Sequence, residues 1–467
     1  MSVTTAPATN RRWLGLAVIA AAQFMVIMDT SIIGVALPEM QRDLGFTPEN
    51  LSWVFNAYVV AFGGLLLLGG KVSDVFGARN VFVAGWLVLA AGSLVAAVAG
   101  NVEVELAGRA IQGAGAALIA PAALTLLMML FGSEPRELTK ALALYGAAAP
   151  AGGTAGVFLG GVITEYLSWP WVFAINLPIA VLILALVPGS MPGGRAAGSR
   201  RVDLVGAVTV TAGLAALVYA VVQAPEVGWD APRTWWVLAA GVVLLAVFVV
   251  QQARGRDPLV RLGIFRAPDL AAANLAQLLL GAAWIPMWFF LNLYLQQVLG
   301  FSAFPSGAAL LPMTLLIMVG MVVLAPRVLA LVGVRTATVS GLVLLAVGMA
   351  WLAMIDPDGS YAVDVLPASL VAALGMSLAF IPTLGTAISA APPEEGGLAS
   401  GIVNTSYQIG SALGLAVMTA IAAAAGADRL GDPGALTEGY SAAFVGAAVV
   451  AAVGAVAAGA LLRGNRS

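Results

Sequence analysis

Gly70-Lys71-Val72-Ser73-Asp74-Val75-Phe76-Gly77-Ala78-Arg79 is the stretch on which the fold turns. It is a short charged turn between two long apolar runs, the form of a water-facing loop joining two membrane spans. The pattern returns in degenerate form. Residues 70–85 read GKVSDVFGARNVFVAG, and residues 326–341 read PRVLALVGVRTATVSG. At a fixed offset of 256, Lys71 meets Arg327, Gly77 meets Gly333, Arg79 meets Arg335 and Gly85 meets Gly341. The repeat predicts a duplicated bundle of helices.

Composition agrees. Of 467 residues, 61% are hydrophobic and 9% charged, against about 25% charged in a soluble domain. Apolar runs of 18 or more residues recur along the whole chain, each long enough to cross about 30 Å of hydrocarbon as a helix. The runs are continuous and not alternating, so helices and not a barrel satisfy the backbone in lipid. With no Cys and no His, there is no thiolate or imidazole for a metal or a catalytic centre, and no cofactor, metal or enzymatic activity is expected. Proton chemistry falls to carboxylates. A net charge of -2 without a basic patch gives no sign of nucleic acid.

Fourteen spans are expected, from 13–37 to 439–462, including 203–222, 234–252, 305–326 and 336–355. All but four of the 21 Lys and Arg then fall on one side. The exceptions are Arg42, Arg233 and Arg429 opposite, and Arg109 within a span. The positive-inside rule makes the basic side cytoplasmic, with both termini there. Met1–Asn10 followed by Arg11-Arg12 and a long apolar run reads as an uncleaved anchor. Six spans, two, then six give an N-terminal bundle at 1–189, a linker at 190–202, two inserted helices at 203–252, a linker at 253–268 and a C-terminal bundle at 269–467. Parallel six-helix repeats are a transporter plan with the substrate site at the midplane. The inserted pair, nearly free of polar residues, is expected to face lipid.

Asp29 lies eight residues before the far end of the first span, roughly 12 Å deep. A carboxylate there costs about 2.5–3.5 kcal/mol on insertion scales and marks function by default; the alternative is a hydrogen-bonded packing role beside a helix break. Arg109, with Gln112 and Gly113 on its face of the fourth span, is long enough to reach Asp29. Burial strengthens a carboxyl's hold on its proton and a guanidinium weakens it, so making and breaking this pair would couple proton load to shape. Gly152, Gly156 and Gly160 line one face of the fifth span and allow close helix approach, as they would in ordinary packing. In the ninth span Asn274, Gln277, Gly281, Trp284, Trp288, Asn292 and Gln296 form a stripe of amides and indoles. Such a stripe suits a site for apolar or cationic compounds or plain helix–helix hydrogen bonding. Asn404, Gln408 and Ser411 repeat the theme in the thirteenth span.

These residues resemble the major facilitator superfamily, and within it the fourteen-span drug:proton antiporters, over nearly the whole chain. Gly70, Asp74, Gly77 and Arg79 are similar to the superfamily's loop motif, with Ala78 where a basic residue is usual. Met28–Pro38 resembles the group's first-span motif. Arg109, Gln112, Gly113 and Gly115 resemble the fourth-span motif tied to proton coupling. Gly152–Gly161, with Gly160 and Gly161, is similar to the fifth-span antiporter motif, with Val157 where a Pro is usual. Trp169–Trp171 and Phe173–Pro178 resemble a further motif, with Pro170 in place of an Arg; Gly397–Ala416 is similar to the thirteenth-span stretch. The resemblance implies an all-α integral membrane protein of the major facilitator fold, two six-helix bundles plus two central helices. It implies a monomer in the bacterial plasma membrane that exports drugs, antibiotics or dyes in exchange for protons. Asp29 and Arg109 would couple protons. Gln112, Asn274, Gln277, Trp284, Trp288, Asn292, Asn404 and Gln408 would line the substrate cavity. Asp74 would close a cytoplasmic gate against the N-terminus of the thirteenth helix near Gly396-Gly397, where the helix dipole is positive. No acidic residue lies between Pro305 and Pro326, which favours apolar or monovalent cationic substrates over dications. A dedicated exporter of one self-made metabolite and, more remotely, a siderophore importer are the other readings.

Overall fold

The computed structural model describes residues 9–193, 203–255, 258–390 and 396–462. Its spans are α1 (Thr9–Ser31), α2 (Trp53–Phe76), α3 (Ala78–Ala97), α4 (Val102–Phe131), α5 (Pro135–Tyr166), α6 (Asn176–Ser190), α7 (Leu204–Val227), α8 (Pro232–Arg254) and α9 (Pro268–Leu293). α10 begins at Ala303–Val319 and runs to 332, α11 covers 334–352, and α12 (Leu366–Ala390), α13 (Gly396–Ala422) and α14 (Pro433–Leu461) follow. Local chemistry sets several starts. Asn101, Asp203 and Asp432 cap α4, α7 and α14 by accepting backbone N–H bonds from Val104, Gly206 and Ala435 at 2.9, 2.8 and 3.1 Å.

Thirteen helices among the described residues are long and apolar enough to span a bilayer. One of them, Ala303–Leu352, has 50 residues, about 75 Å at 1.5 Å per residue, more than two bilayer cores. Gly333 breaks it at φ 76°, ψ 170°, so it holds two spans and the total is fourteen. Pro326 does not end α10, contrary to the span expected at 305–326. A π turn at Gly320–Leu324 precedes it, and the proline falls in the first turn of the resumed helix, where its missing N–H costs no bond.

The repeat is visible in the packing. Gly77 and Gly333 are both left-handed, at φ 89° and 76°. A methyl group added at Gly85 would lie 2.9 Å from the Gly115 carbonyl oxygen, and one at Gly341 would lie 2.8 Å from that of Gly375. Gly92 meets Gly108 and Gln112 as Gly348 meets Ala368 and Ala372. α3 on α4 and α11 on α12 are one contact made twice.

The inserted helices differ from expectation. α8 is exposed along most of its length, as a lipid-facing helix is, but α7 is half covered. Thr211 of α7 abuts Gly64 of α2, and Leu214, Val218 and Val222 are buried with the first bundle. α7 also packs on α13, so it lies over the line where α2 meets α13. The apolar composition foretold burial in something apolar; protein supplies half of it.

Arg12 of α1 lies against Leu130 and Gly459 of α14 against Val339, on the side of the Lys71–Arg79 turn, here called the basic side. On the opposite side the bundles touch closely. Gln296 donates to the Val35 carbonyl at 3.0 Å, Gln297 to Gln41 at 2.9 Å, and the Phe304 N–H to Glu165 at 3.3 Å. The Phe55 and Phe289 rings sit 5.9 Å apart, edge to face. These side-chain hydrogen bonds join the first bundle to the second. Toward the basic side α5 and α10 separate. Val157 and Gly161 of α5 touch Gly307 and Ala303, whereas Gly153, on the same face, has only α1 near it and Gly146 faces open space. The bundles thus meet on the far side, and α5 and α10 part at Gly153 and Gly146 toward the basic side. α2 and α13 stay in contact through Leu67 and Gly401.

Candidate functional site

Asp29 and Arg109 meet. Their side chains are 1% and 0% exposed, and Arg109 Nη1 donates to Asp29 Oδ2 at 2.9 Å. The pair is the centre of a network drawn from five helices. Asp29 Oδ1 also accepts from Gln112 Nε2 at 3.1 Å and Asn176 Nδ2 at 2.6 Å. Those two amides converge on Ser93 Oγ of α3 at 2.8 and 3.1 Å. Arg109 Nη1 donates again to Gln112 Oε1 at 2.6 Å, and Nε to the Val54 carbonyl of α2 at 2.9 Å. The Tyr58 ring lies 4.6 Å from the guanidinium carbon and Phe173 lies 5.8 Å from it. A cation over a desolvated ring gains about 2 kcal/mol.

The local sequence makes this possible. The Arg109–Gln112 spacing places both side chains on one face of α4. On the neighbouring faces Gly108 and Gly113 let α4 approach Ala96 of α3 and the Tyr58 carbonyl of α2, which brings Ser93 and Tyr58 within reach. Among its described residues α5 supplies no polar partner to the network. Its Gly152 and Gly156 lie directly against the carbonyls of Phe24 and Met28 on α1, and Gly160 against that of Ile32 just beyond its end. The glycine stripe is therefore the bearing surface of the helix that carries Asp29. Gly161 faces the other way, onto Ala303 and Phe304 of α10.

The remaining site residues fall in three places. Gln112, read as a cavity residue, belongs to the buried network. Asn274 accepts from Ser406 of α13 at 2.8 Å, and Gln277 donates to Thr383 and to the Phe380 carbonyl of α12 at 2.8 and 3.1 Å. These amides tie α9 to its own bundle. Trp288 and Asn292 lie against Gly34 at the end of α1, inside the closed far-side contact. Trp284 stacks near Trp288 with 6.5 Å between ring centroids. Gln408 of α13 packs on Gly63 of α2, and Asn404 is half-buried and bonds back to the Ser400 carbonyl at 2.9 Å. The stripe on α9 thus changes partner along its length, from α13 and α12 to the residues that follow α1.

In the loop motif Gly77 supplies the left-handed turn, Gly70 has ordinary contact with Pro121, and Arg79 reaches Gly193 past α6. Asp74 is exposed at the end of α2. Its expected docking partner, the first turn of α13, has side chains at 396–398 that lie outside the described residues. A basic-side cluster escaped the sequence reading. Arg12 donates to the Leu130 carbonyl at 2.9 Å and lies 3.5 and 3.3 Å from Glu134 and Glu137, binding α1 to the α4–α5 turn. Asn176, Ser93 and Tyr58 escaped it too. Asn176 lies inside the Phe173–Pro178 motif, and a buried amide there was the available signal.

A multi-pass bundle of fourteen helices, closed at one face and holding a charged pair at its core, is built as a membrane transporter and not as an enzyme. The sequence profile of the Major Facilitator Superfamily matches residues 19–415, and this chain belongs to that superfamily. Two bacterial relatives stand out. The cephamycin export protein CmcT of Amycolatopsis lactamdurans is 40% identical over 444 residues, 94% of this chain and 90% of that protein. The puromycin resistance protein pur8 of Streptomyces alboniger is 40% identical over 433 residues, 91% and 84% of the two chains. The crystal structure of the human organic anion transporter MFSD10 (TETRAN) superposes with a TM-score of 0.64 at 16% identity, covering 96% of this chain and 99% of that one; it shares the fold.

Proposed function

We propose that this protein exports antibiotics and similar apolar or monovalent cationic compounds from a bacterial cell in exchange for protons, as a monomer in the plasma membrane with both termini in the cytoplasm. The observation that carries the reading is the buried Asp29–Arg109 pair. A lone charge in this position is several kcal/mol worse than a paired one. A proton on Asp29 therefore releases Arg109 and sets its bonds to Val54 and Gln112 against a new arrangement of α1 and α4. α1 slides on the α5 glycine stripe, and α5 leads through Gly161 to α10. Protonation would thus be felt at the contact between the bundles 1–189 and 269–467, which rock to expose the site on alternate sides. The far-side contacts, with α5 and α10 parted at Gly153 and Gly146, support loading of substrate from the cytoplasmic side. The export and resistance names of the two relatives support efflux over uptake. Because each of those names carries a single compound, a dedicated exporter of one metabolite is the second reading.

The test is transport by the purified chain in proteoliposomes, with ethidium and puromycin as probes. An imposed pH gradient is expected to drive either probe toward the acidic compartment, and Asp29→Asn to abolish this. Movement of neither probe under a gradient, with the native chain, rejects proton-driven export. Resistance of expressing cells to puromycin alone, among unrelated compounds, would favour the dedicated exporter.

A further inference from the structure

Glu105 lies one turn before Arg109 on α4, about 6 Å nearer the far side. It is fully buried, and neither carboxyl oxygen has a hydrogen-bond partner among the described residues. Arg109 commits Nε and Nη1 to Val54, Asp29 and Gln112, while its Nη2 has no partner either. A buried acid without a donor therefore stands four residues from a buried base with a spare donor. Glu four residues ahead of a basic side chain is the favourable order on a helix face. The charged groups that bear on Glu105 are Arg109 of its own helix and Asp29 of α1; Tyr58 of α2, stacked on the guanidinium, is the neighbouring titratable ring. An ionised carboxyl without a partner is among the costliest groups to bury, and the neutral acid costs far less.

We propose that Glu105 is a second proton-carrying acid, which exchanges with Asp29 for Arg109. This rests on the proton-coupled reading above. In the arrangement seen, Glu105 holds a proton and Arg109 pairs with the Asp29 carboxylate. In the exchanged arrangement the proton has left the Glu105 carboxyl and sits on Asp29, and the guanidinium has turned its free Nη2 edge to the Glu105 carboxylate. Each arrangement holds one neutral acid and one ion pair. The buried cluster keeps its net charge, and no step strands a lone ion in apolar surroundings. Glu105 lies toward the side from which an exporter draws its proton, Asp29 toward the side that receives it. The pair forms a two-step relay through the interior of the first bundle.

The test compares Glu105→Gln and Glu105→Asp with the native full-length chain in proteoliposomes, using ethidium. Two rates are read: accumulation driven by a pH gradient, and ethidium exchange at equal pH. Glu105→Gln is expected to lower gradient-driven accumulation at least tenfold, to flatten its pH profile and to keep exchange within threefold of native. Glu105→Asp restores accumulation and the pH profile. Infrared spectra of the native chain show a carboxylic-acid carbonyl band that Glu105→Gln removes. Gradient-driven accumulation by Glu105→Gln within twofold of native, with the same pH profile, overturns the proposal. So does loss of exchange in both variants, which marks a packing residue. Native vesicles without gradient-driven transport overturn proton-coupled export itself, whereas native coupling with an indifferent Glu105→Gln overturns the relay alone.

Discussion

Asp29→Asn removes the negative charge of the buried pair at almost constant volume, and its cost can be worked from the contacts. The carboxylate takes three donors, Arg109 on one oxygen and Gln112 with Asn176 on the other. An asparagine offers one oxygen, and its amide nitrogen must face donors on the other side. Removing one member of a buried ion pair costs about 3–5 kcal/mol, because the remaining charge stays buried. Glu105 changes that figure. Should it give up its proton and take Arg109, the charge is paired again and only the misplaced hydrogen bonds remain, about 1–3 kcal/mol. Asp29→Asn alone is thus expected to lower unfolding stability by about 1–3 kcal/mol. In a Glu105→Gln background the same change costs about 3–5 kcal/mol. The assay is equilibrium unfolding in detergent micelles followed by tryptophan fluorescence, for the native chain, both single variants and the double variant. The coupling between the two positions is expected at about 2 kcal/mol, within the range found for residues of one network. Additive losses, agreeing within about 0.5 kcal/mol as for independent sites, would refute the reasoning for both the shared Arg109 and the relay.

Three further outcomes follow from single contacts. Gly156→Val places a Cβ 2.8 Å from the Met28 carbonyl oxygen and 2.9 Å from Ser31 Cβ, an overpacking worth about 1–3 kcal/mol. Melting temperature and ethidium efflux should both fall, while Gly146→Ala, which faces open space on the same helix, leaves efflux intact. Gly333→Ala puts a side chain at φ 76° and should cost about 1–2 kcal/mol in the same unfolding assay, as should Gly77→Ala at φ 89°. Gln297→Ala removes the bond to Gln41 at 2.9 Å and the one Tyr440 donates at 2.6 Å, loosening the far-side closure. The chain has no Cys, so Leu51→Cys, at a position 1% exposed on that side, reports opening cleanly. Its reaction with an impermeant maleimide should quicken several-fold in the Gln297→Ala background, and an unchanged rate would remove Gln297 from the closure.

Much of this architecture could be read from residues 70–85 and their echo at 326–341. A left-handed glycine in a basic turn has few substitutes, so Gly77 and Gly333 kept their identity while neighbours drifted. The Asp29–Arg109 pair was legible for a related reason, since charges in spans are rare and must find each other. The rest of the network was not. Helical periodicity says which residues share a face, and it is silent on what lies opposite. Ser93 and Tyr58 come from two other helices and read in sequence as ordinary span residues, while Asn176 stands out only as part of the Phe173–Pro178 motif. The same silence covers α9. Asn274, Gln277, Trp288 and Asn292 do form one stripe, but that stripe meets α13, then α12, then α1. Glu105 was overlooked because, four residues into α4, it resembles a helix-start acid placed on the dipole; only its burial separates it from Glu103. The role of α7 was hidden by composition, since an apolar side chain is equally at home against lipid and against Gly64.

The duplication bears on mechanism through what it failed to copy. The packing of α3 on α4 and α11 on α12 places Ser369 where Arg109 stands, Ala372 where Gln112 stands and Val365 where Glu105 stands. The second bundle inherited the glycine contacts and none of the charge. On the proton-coupled reading proposed above, titration of the buried pair acts on the first bundle, and the second senses it mechanically. The physical route available is α1 on α5 and α5 on α10, where Gly156 and Gly161 bring backbone against backbone with no compliant side chain between them. Close-packed surfaces of that kind transmit a sub-ångström shift instead of absorbing it. A long side chain in either place would give the contact more adhesion and less transmission. That division explains why small residues crowd α5 while the polar groups crowd α4, and why α9 and α10 can carry apolar and aromatic surface without any acid in the first turns of α10.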